Sequence, residues 1–365
     1  MKVMTLFGTR PEIIRLSLVI QVLDRHCRQV LVHTGQNYDQ SLSDVFLKDL
    51  SIREVDHHLG VRGNGFGEQV GQMLAKVDGI LEAEKPDRLL ILGDTNSGLA
   101  AICAARRGIP VYHLEAGNRC YDNRVPEEVN RRIIDHSSDV LLPYTERSAE
   151  NLVREGIRRD RIFVVGNPIF EVLEHFKVEI GASKVLSSLG LEERGYFLVT
   201  VHRAENVDLP DRLRRLTGAL DRLAREFGRP VIVSVHPRTA DRMRKLGIDV
   251  DPEWVRLHAP FGLFDFVRLE KGAAGIVTDS GTVQEEACIF GIPNVTLRDV
   301  TERPETTECG SNILSGDDPE RLVCGMRLAM TDGGVWDSPL EYRKANVAAT
   351  VAKLLVSYRH STQGY

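Results

Sequence analysis

No Cys-x-x-Cys pair occurs among the six cysteines at 27, 103, 120, 288, 309 and 324, and their irregular spacings match no zinc or iron–sulfur pattern. Free thiols in a reducing cytosol are the expectation. The eleven histidines include no His-Glu-x-x-His, so no metal is expected. Gly-x-Gly-x-x-Gly is missing after the first strand-like run, which weighs against a nicotinamide or flavin oxidoreductase. None of the eight tyrosines begins the Tyr-x-x-x-Lys of a short-chain dehydrogenase-type epimerase. No apolar run approaches the roughly 20 residues a membrane span needs. The stretch MKVMTLFGTRPEII is too short in its apolar part for a signal peptide and lacks a cleavage site, so a cytoplasmic protein is expected. The 47 Lys and Arg against 52 Asp and Glu leave a net charge of −5, and so no global basic field for nucleic acid. A nucleotide-sized anion could still be held by a local cationic cluster. The 31 Gly and 15 Pro follow no period, which excludes a collagen-like chain, and no repeat suggests a solenoid.

What is present is an ordinary globular balance, 42% hydrophobic and 27% charged, over 365 residues. At about 150 residues per domain that length suggests two or three domains. Short β-rich runs alternate with amphipathic stretches throughout. The runs are 2–7, 29–34, 88–93, 111–114, 140–144, 162–166, 196–201, 231–235, 255–258, 275–278 and 294–298, with helical patterns such as 97–108 and 211–228 between them. Such alternation predicts parallel sheets covered by helices on both faces. So many strands exceed one open sheet at this length, which predicts two α/β halves, with the strandless stretch 166–185 as the crossover. Ligands on such sheets bind at the carboxyl ends of the strands, so a cleft between the halves is expected to be lined by the residues just after each run.

Those residues carry chemistry. Run 2–7 ends in Gly8-Thr9-Arg10-Pro11-Glu12, a tight strand-to-helix turn whose N–H groups suit an anion and whose Arg10 offers a fork that matches phosphate. Run 88–93 delivers Asp94, run 111–114 delivers Glu115, and Glu127-Glu128 follow in Arg124-Val125-Pro126-Glu127-Glu128. Three acidic sites near one sheet edge suit acid/base work, because neighbouring carboxyls push their pKa values apart. The alternatives are an N-cap for Asp94 and helix-dipole stabilisation for Glu127 or Glu128. In the second half, His202-Arg203 and His236-Pro237-Arg238 each follow a run. Thr278-Asp279-Ser280-Gly281-Thr282 ends another, and the helix after it offers its N-terminus to a phosphate. Glu286, one turn into that helix, could accept hydrogen bonds from ribose hydroxyls. Arg298 to Glu305 adds two further cations, Arg298 and Arg303.

Taken in order, these motifs resemble the non-hydrolysing UDP-N-acetylglucosamine 2-epimerase family from Gly8-Thr9-Arg10-Pro11-Glu12 to Arg298–Glu305. The resemblance implies an α/β, GT-B-like fold of two Rossmann-like domains with an interdomain active-site cleft. By it, residues 1–167 form the first domain, 168–344 the UDP-binding second, and a helix at about 345–365 crosses back to the first. It further implies a homodimer, a UDP-sugar substrate, and neither metal nor nicotinamide. UDP would be eliminated to leave a glycal, then add back once a proton has returned to C2 from the opposite face. Asp94, Glu115 and Glu127 are then the acid/base candidates and His202 the essential histidine. Arg10, His236, Ser280, Gly281, Glu286 and Arg303 would hold UDP, with Arg15 beside them.

Three departures from the family's best-known branch bear on the substrate. Position 15 is Arg rather than Lys, the Gly117–Pro126 loop is short, and Thr34–Gln40 replaces a Gln-His-Arg pattern tied to allosteric activation by UDP-N-acetylglucosamine. They resemble the branch acting on 6-deoxy acetamido-hexoses or diacetamido-uronic acids. A GT-B glycosyltransferase is the rival from another class, although it has less use for three carboxylates. A hydrolysing epimerase would differ by admitting water to the glycal, and a nucleotide-sugar sensor would not need Asp94, Glu115, Glu127 and His202 together.

Overall fold

Runs of Val, Leu and Ile buried on both faces make the strands of two parallel sheets, as expected where helices cover each side. The computed structural model describes residues 1–35, 46–63, 65–331 and 335–358. Their contacts divide the chain into two units, Met1–Leu173 with Glu341–Tyr365, and Glu174–Leu340.

The first unit contains β1 (Lys2–Phe7), β2 (Arg28–His33), β3 (His57–His58), β4 (Arg88–Leu92), β5 (Val111–Leu114) and β6 (Val140–Leu142). They lie in the order β3-β2-β1-β4-β5-β6, with every pairing parallel. Met4, Leu6, Val32, Leu89 and Ile91 face one way and bury Met73, Val77 and Leu81 of the helix Phe66–Glu84. The helix Arg10–His26 begins with Pro at its first turn and packs against the C-terminal helix Val347–Ser357, which therefore belongs to this unit.

The second unit repeats the plan with β7 (Phe197–Val201), β8 (Val231–Val235), β9 (Val255–His258), β10 (Gly275–Thr278), β11 (Asn294–Thr296) and β12 (Asn312–Leu314), in the order β12-β11-β10-β7-β8-β9. One face buries Leu216, Leu220 and Leu223 of the helix Pro210–Phe227 and Leu322, Val323 and Met326 of the helix Pro319–Thr331. The other buries Leu269, Val283 and Ala287. In both units the sheet grows outward in two directions from its first strand, the Rossmann order, so each has a switch point: β1 beside β4, and β7 beside β10.

The sequence pattern misses β3, which is only two residues long, and β12, whose first residue is the polar Asn312. Conversely, run 162–166 is not a full strand. It follows the edge of β6 through one bridge, Leu141 to Ile162, and hydrogen bonds from Phe163 and Val165 N–H to the Leu141 and Pro143 carbonyls. Residues 36–40 of the segment expected to bear on allosteric activation lie outside the described residues.

Close approach to backbone demands glycine at position 117. Gly117 has φ +82°, and a Cβ there would come within 2.2 Å of the Ser148 carbonyl oxygen at the start of the helix Glu146–Arg154. Gly117→Ala should therefore cost about 2–4 kcal/mol and lower the thermal unfolding midpoint; an unchanged midpoint would contradict this packing.

Candidate active site

The registers decide which loops meet. Leu6 pairs with Ile91 and Leu92 with Leu114, so the turns after β1, β4 and β5 leave the sheet side by side. Glu115 follows β5 with φ 71°, a left-handed conformation that a glutamate adopts only at a cost of about 1–3 kcal/mol. Its carboxylate is fixed by three donors: Arg15 Nη1 and the Tyr144 hydroxyl, each at 3.1 Å from Oε2, and Asn118 Nδ2 at 3.2 Å from Oε1. Gly93, with φ +73°, passes close to this carboxylate, and a Cβ there would lie 3.8 Å from Oε2.

Asp94 does not cap the helical turn Asn96–Ala100; Thr95 stands at that position. Its side chain instead accepts from Nε of Arg131 at 2.9 Å and forms an ion pair with Nη2 at 2.7 Å, while keeping 25% of its surface exposed. Arg131 also donates to Glu128 at 2.7 Å. Glu128 is fully buried and accepts from the N–H groups of Cys120 and Tyr121 at 3.1 and 3.0 Å, which commits it to shaping the Gly117–Pro126 loop. Glu127, half-buried in the first turn of the helix Pro126–His136, is the more exposed of the pair. Below them His113 joins Asp135 Oδ1 at 2.7 Å and the Gly93 carbonyl at 2.9 Å, and Arg119 reaches Asp135 at 2.8 Å. Burial opposes ionisation of Asp135, yet the His113 and Arg119 contacts outweigh it and hold the carboxyl below the usual aspartate range.

The Gly8 and Thr9 N–H groups, expected to face a bound anion, donate instead to Glu12 Oε2 at 2.8 and 2.7 Å. Thr95 Oγ1 donates to Glu12 Oε1 at 2.8 Å, so this one carboxylate ties the turn after β1 to the turn after β4. Arg10 lies over the Phe46 ring, 5.1 Å from its centroid.

In the second unit Thr200 pairs with Thr278, which sets His202 beside Asp279 at the switch point. Asp279, fully buried, accepts from His202 Nδ1 (3.0 Å), from the N–H groups of His202 and Arg203 (3.0 and 2.9 Å) and from Asn206 Nδ2 (3.0 Å). Burial opposes its ionisation, but the His202 charge and these donors prevail and bring its carboxyl far below the usual range. The His202 ring stays 43% exposed, and the His236 ring lies 6.3 Å away, its Nδ1 capping the helix Pro237–Leu246 by accepting from Arg238 N–H. Ser280 is the N-cap of the helix Gly281–Phe290. A Cβ on Gly281 would stand 2.8 Å from Glu302 Oε1, so a side chain there would displace the Glu302 carboxylate. Glu302 is held by Arg203 (3.1 Å) and Arg298 (2.7 Å), and buried Arg303 pairs with Glu285. Glu286 is buried where this helix meets the helix Leu263–Gly272.

The structure thus brings Arg15, Asp94, Glu115 and Glu127 to one sheet edge of the first unit, with Arg10 one turn before Arg15. It brings His202, His236, Ser280, Gly281 and Arg303 to one edge of the second. Sequence reasoning gave no role to Glu12, Tyr144, Arg131, Asp279, Glu285 or Glu302. Asp279 was within reach, since it directly follows a strand in a motif already singled out. Among the described residues no group of three His, Cys, Asp or Glu could hold a metal ion, and no helix is long and apolar enough to cross a membrane.

Two Rossmann-order units, one edged with carboxylates and the other with a histidine, arginines and a helix N-terminus, define an α/β enzyme of the GT-B-like class that works on nucleotide sugars. The chain belongs to the UDP-N-acetylglucosamine 2-epimerase family of isomerases, whose model matches residues 21–356. It is 39% identical over 348 residues to the UDP-N-acetylglucosamine 2-epimerase of Methanocaldococcus jannaschii, covering 93% of this chain and 95% of that one. It is 36% identical over 334 residues to the UDP-2,3-diacetamido-2,3-dideoxy-D-glucuronate 2-epimerase of Pseudomonas aeruginosa, covering 90% and 92%. Its fold matches the crystal structure of the M. jannaschii enzyme in complex with UDP-GlcNAc and UDP at a TM-score of 0.93 and 36% identity, over 98% of this chain and 100% of that one.

Burial raises the Glu12 pKa from 4.5 to about 7, against its hydrogen bonds from Gly8, Thr95 and Thr9. An acid that binds its proton more tightly folded than unfolded makes stability fall as pH climbs between those two values, here by on the order of 3 kcal/mol. Glu12→Gln should flatten that slope in thermal melts from pH 4.5 to 7.5; an unaltered slope would assign it to other groups.

Proposed function

We propose that this enzyme interconverts UDP-N-acetylglucosamine and UDP-N-acetylmannosamine, or a close derivative, without releasing free sugar. The observation that carries this reading is Glu115, a carboxylate kept in a costly backbone conformation and oriented by Arg15, Tyr144 and Asn118. The C2 proton of the sugar has no adjacent carbonyl to acidify it, so its loss must be coupled to departure of UDP. A first-unit carboxylate takes that proton, the C1–O bond breaks with its electron pair leaving on the UDP β-phosphate, and C1 and C2 become the double bond of a glycal. A second group then returns a proton to C2 from the opposite face while UDP re-attacks C1. Asp94, Glu115 and Glu127 are the groups for this work, each worth roughly 10²–10⁴-fold.

The second unit carries UDP. The N-terminus of the helix Gly281–Phe290, with Ser280 and Gly281, faces the leaving phosphate, where fixed donors stabilise developing negative charge. His202, its Nδ1 fixed by Asp279, has Nε2 left to serve the phosphate. His236 and Arg303 complete the diphosphate and uridine contacts, Glu286 takes the ribose hydroxyls, and Arg10 adds a cation from the first unit. Arg15 serves Glu115 as well as the phosphates. The reading needs no metal or nicotinamide. It includes a homodimer and, in keeping with six unpaired thiols, a cytoplasmic location. The P. aeruginosa relative favours a second reading, 2-epimerisation of a UDP-linked diacetamido-uronic acid; a 6-deoxy acetamido-hexose is the other modified sugar of this reading.

Incubation with UDP-N-acetylglucosamine and no added cofactor, followed by anion-exchange chromatography, should give a second UDP-sugar. Free sugar with UDP would instead mark a hydrolysing enzyme, and turnover only with an acceptor would mark a glycosyltransferase. Asp94→Asn, Glu115→Gln, Glu127→Gln and His202→Ala should each lower turnover by about 10² or more with the thermal midpoint retained. A variant with near-normal turnover would remove its residue from the mechanism. Arg10→Ala should weaken UDP binding as well as rate, and unchanged affinity would sink its phosphate role.

A further inference from the structure

The helix Leu263–Gly272 lies against the helix Gly281–Phe290, and each brings a carboxyl group to their contact: Glu270, with no exposed surface, and Glu286, 5% exposed. Asp279, Glu285 and Glu302 nearby are each answered by arginine, histidine or amide donors. Glu270 is not. Among the described residues no N–H or hydroxyl donates to either of its oxygens, and the group facing it is the Glu286 carboxyl. The donors closest along the chain are spent elsewhere: the Tyr196 hydroxyl donates to the Leu269 carbonyl, Arg194 to the Ala273 carbonyl, and Arg268 pairs with Glu193.

Two carboxylates cannot hydrogen-bond to each other, whereas a carboxylic acid and a carboxylate can, through one shared proton. Burial, reinforced by the Glu286 carboxyl, pushes the Glu270 pKa well above the usual glutamate range, so the proton resides on Glu270. A neutral acid is then a donor that adds no charge. We propose that Glu270 is a positioning residue, which donates its proton in a hydrogen bond to Glu286 and fixes that carboxylate as the acceptor of the ribose hydroxyls of bound UDP. The proposal rests on the assignment of Glu286 to the ribose made above. It also accounts for a buried acid where a leucine would cost less to bury.

The test is calorimetric titration of the full chain with UDP and with 2′,3′-dideoxy-UDP, which lacks the hydroxyls concerned. Wild-type protein should prefer UDP by about tenfold or more. Glu270→Leu should lose most of that preference, binding UDP about tenfold more weakly and the dideoxy analogue within about twofold of wild type. Its thermal midpoint should not fall, since a buried polar group has been removed. Glu270→Gln, neutral and still a donor, should keep UDP affinity within about threefold. Full UDP preference in Glu270→Leu, equal loss for both nucleotides, or failure of Glu270→Gln to the same degree would overturn the proposal. Glu286→Gln separates it from its premise: lost preference there with full preference in Glu270→Leu refutes the positioning role alone. Retained preference in Glu286→Gln refutes the ribose assignment and the proposal with it.

Discussion

A parallel sheet buried on both faces leaves its strands one place for polar work, the carboxyl ends, and the remainder of this structure follows from that constraint. Each unit meets it with the same strand order, so each has a switch point where two adjacent strands send their loops to opposite sides. One internal carboxylate fastens each switch point. In the first unit Glu12 joins the turn after β1 to the turn after β4 through Gly8, Thr9 and Thr95. In the second, Asp279 at the end of β10 takes donors from His202, Arg203 and Asn206 after β7. Each fixes the backbone from which neighbouring candidate residues project, Arg10 and Asp94 in the first unit and His202 in the second.

The two edges built on this frame differ in character. The first presents carboxylates at graded degrees of commitment. Glu128 is wholly engaged with its loop, Asp94 is forked by Arg131 but a quarter exposed, and Glu115 is oriented by three donors. The second presents cations and a helix N-terminus, with Glu285 and Glu302 neutralised by arginines and Asp279 by His202. A reaction that moves a proton at carbon while expelling a phosphate anion needs both kinds of edge.

Much of the fold was legible in the sequence because buried parallel strands read as uninterrupted apolar runs. β4, RLLIL, is apolar after its first residue, and β8, VIVSV, is broken only by Ser234. β3 and β12 were not legible, since two residues make no pattern and Asn312 breaks one; the run 162–166 looked like a strand because an edge bridge selects the same β-branched residues. The placement of candidate residues was legible where they closely follow a strand, as Glu115 and His202 do directly and Asp94 does after one glycine. It was illegible where a role depends on which strands are neighbours. Glu12 read only as part of a tight strand-to-helix turn and reaches Thr95, 83 positions away. Tyr144 and Arg131 act on Glu115 and Asp94 through the sheet edge, a relation that no local spacing encodes.

If a carboxylate removes the C2 proton of a UDP-sugar and a solvent-derived proton returns to the other face, deuterium from the solvent must enter at C2. Proton NMR of the enzyme with UDP-N-acetylglucosamine in D₂O tests this most directly. A second UDP-sugar anomeric signal should appear together with loss of the C2 proton signal, as deuterium enters both epimers. An epimer that forms with its C2 protium fully retained would contradict it.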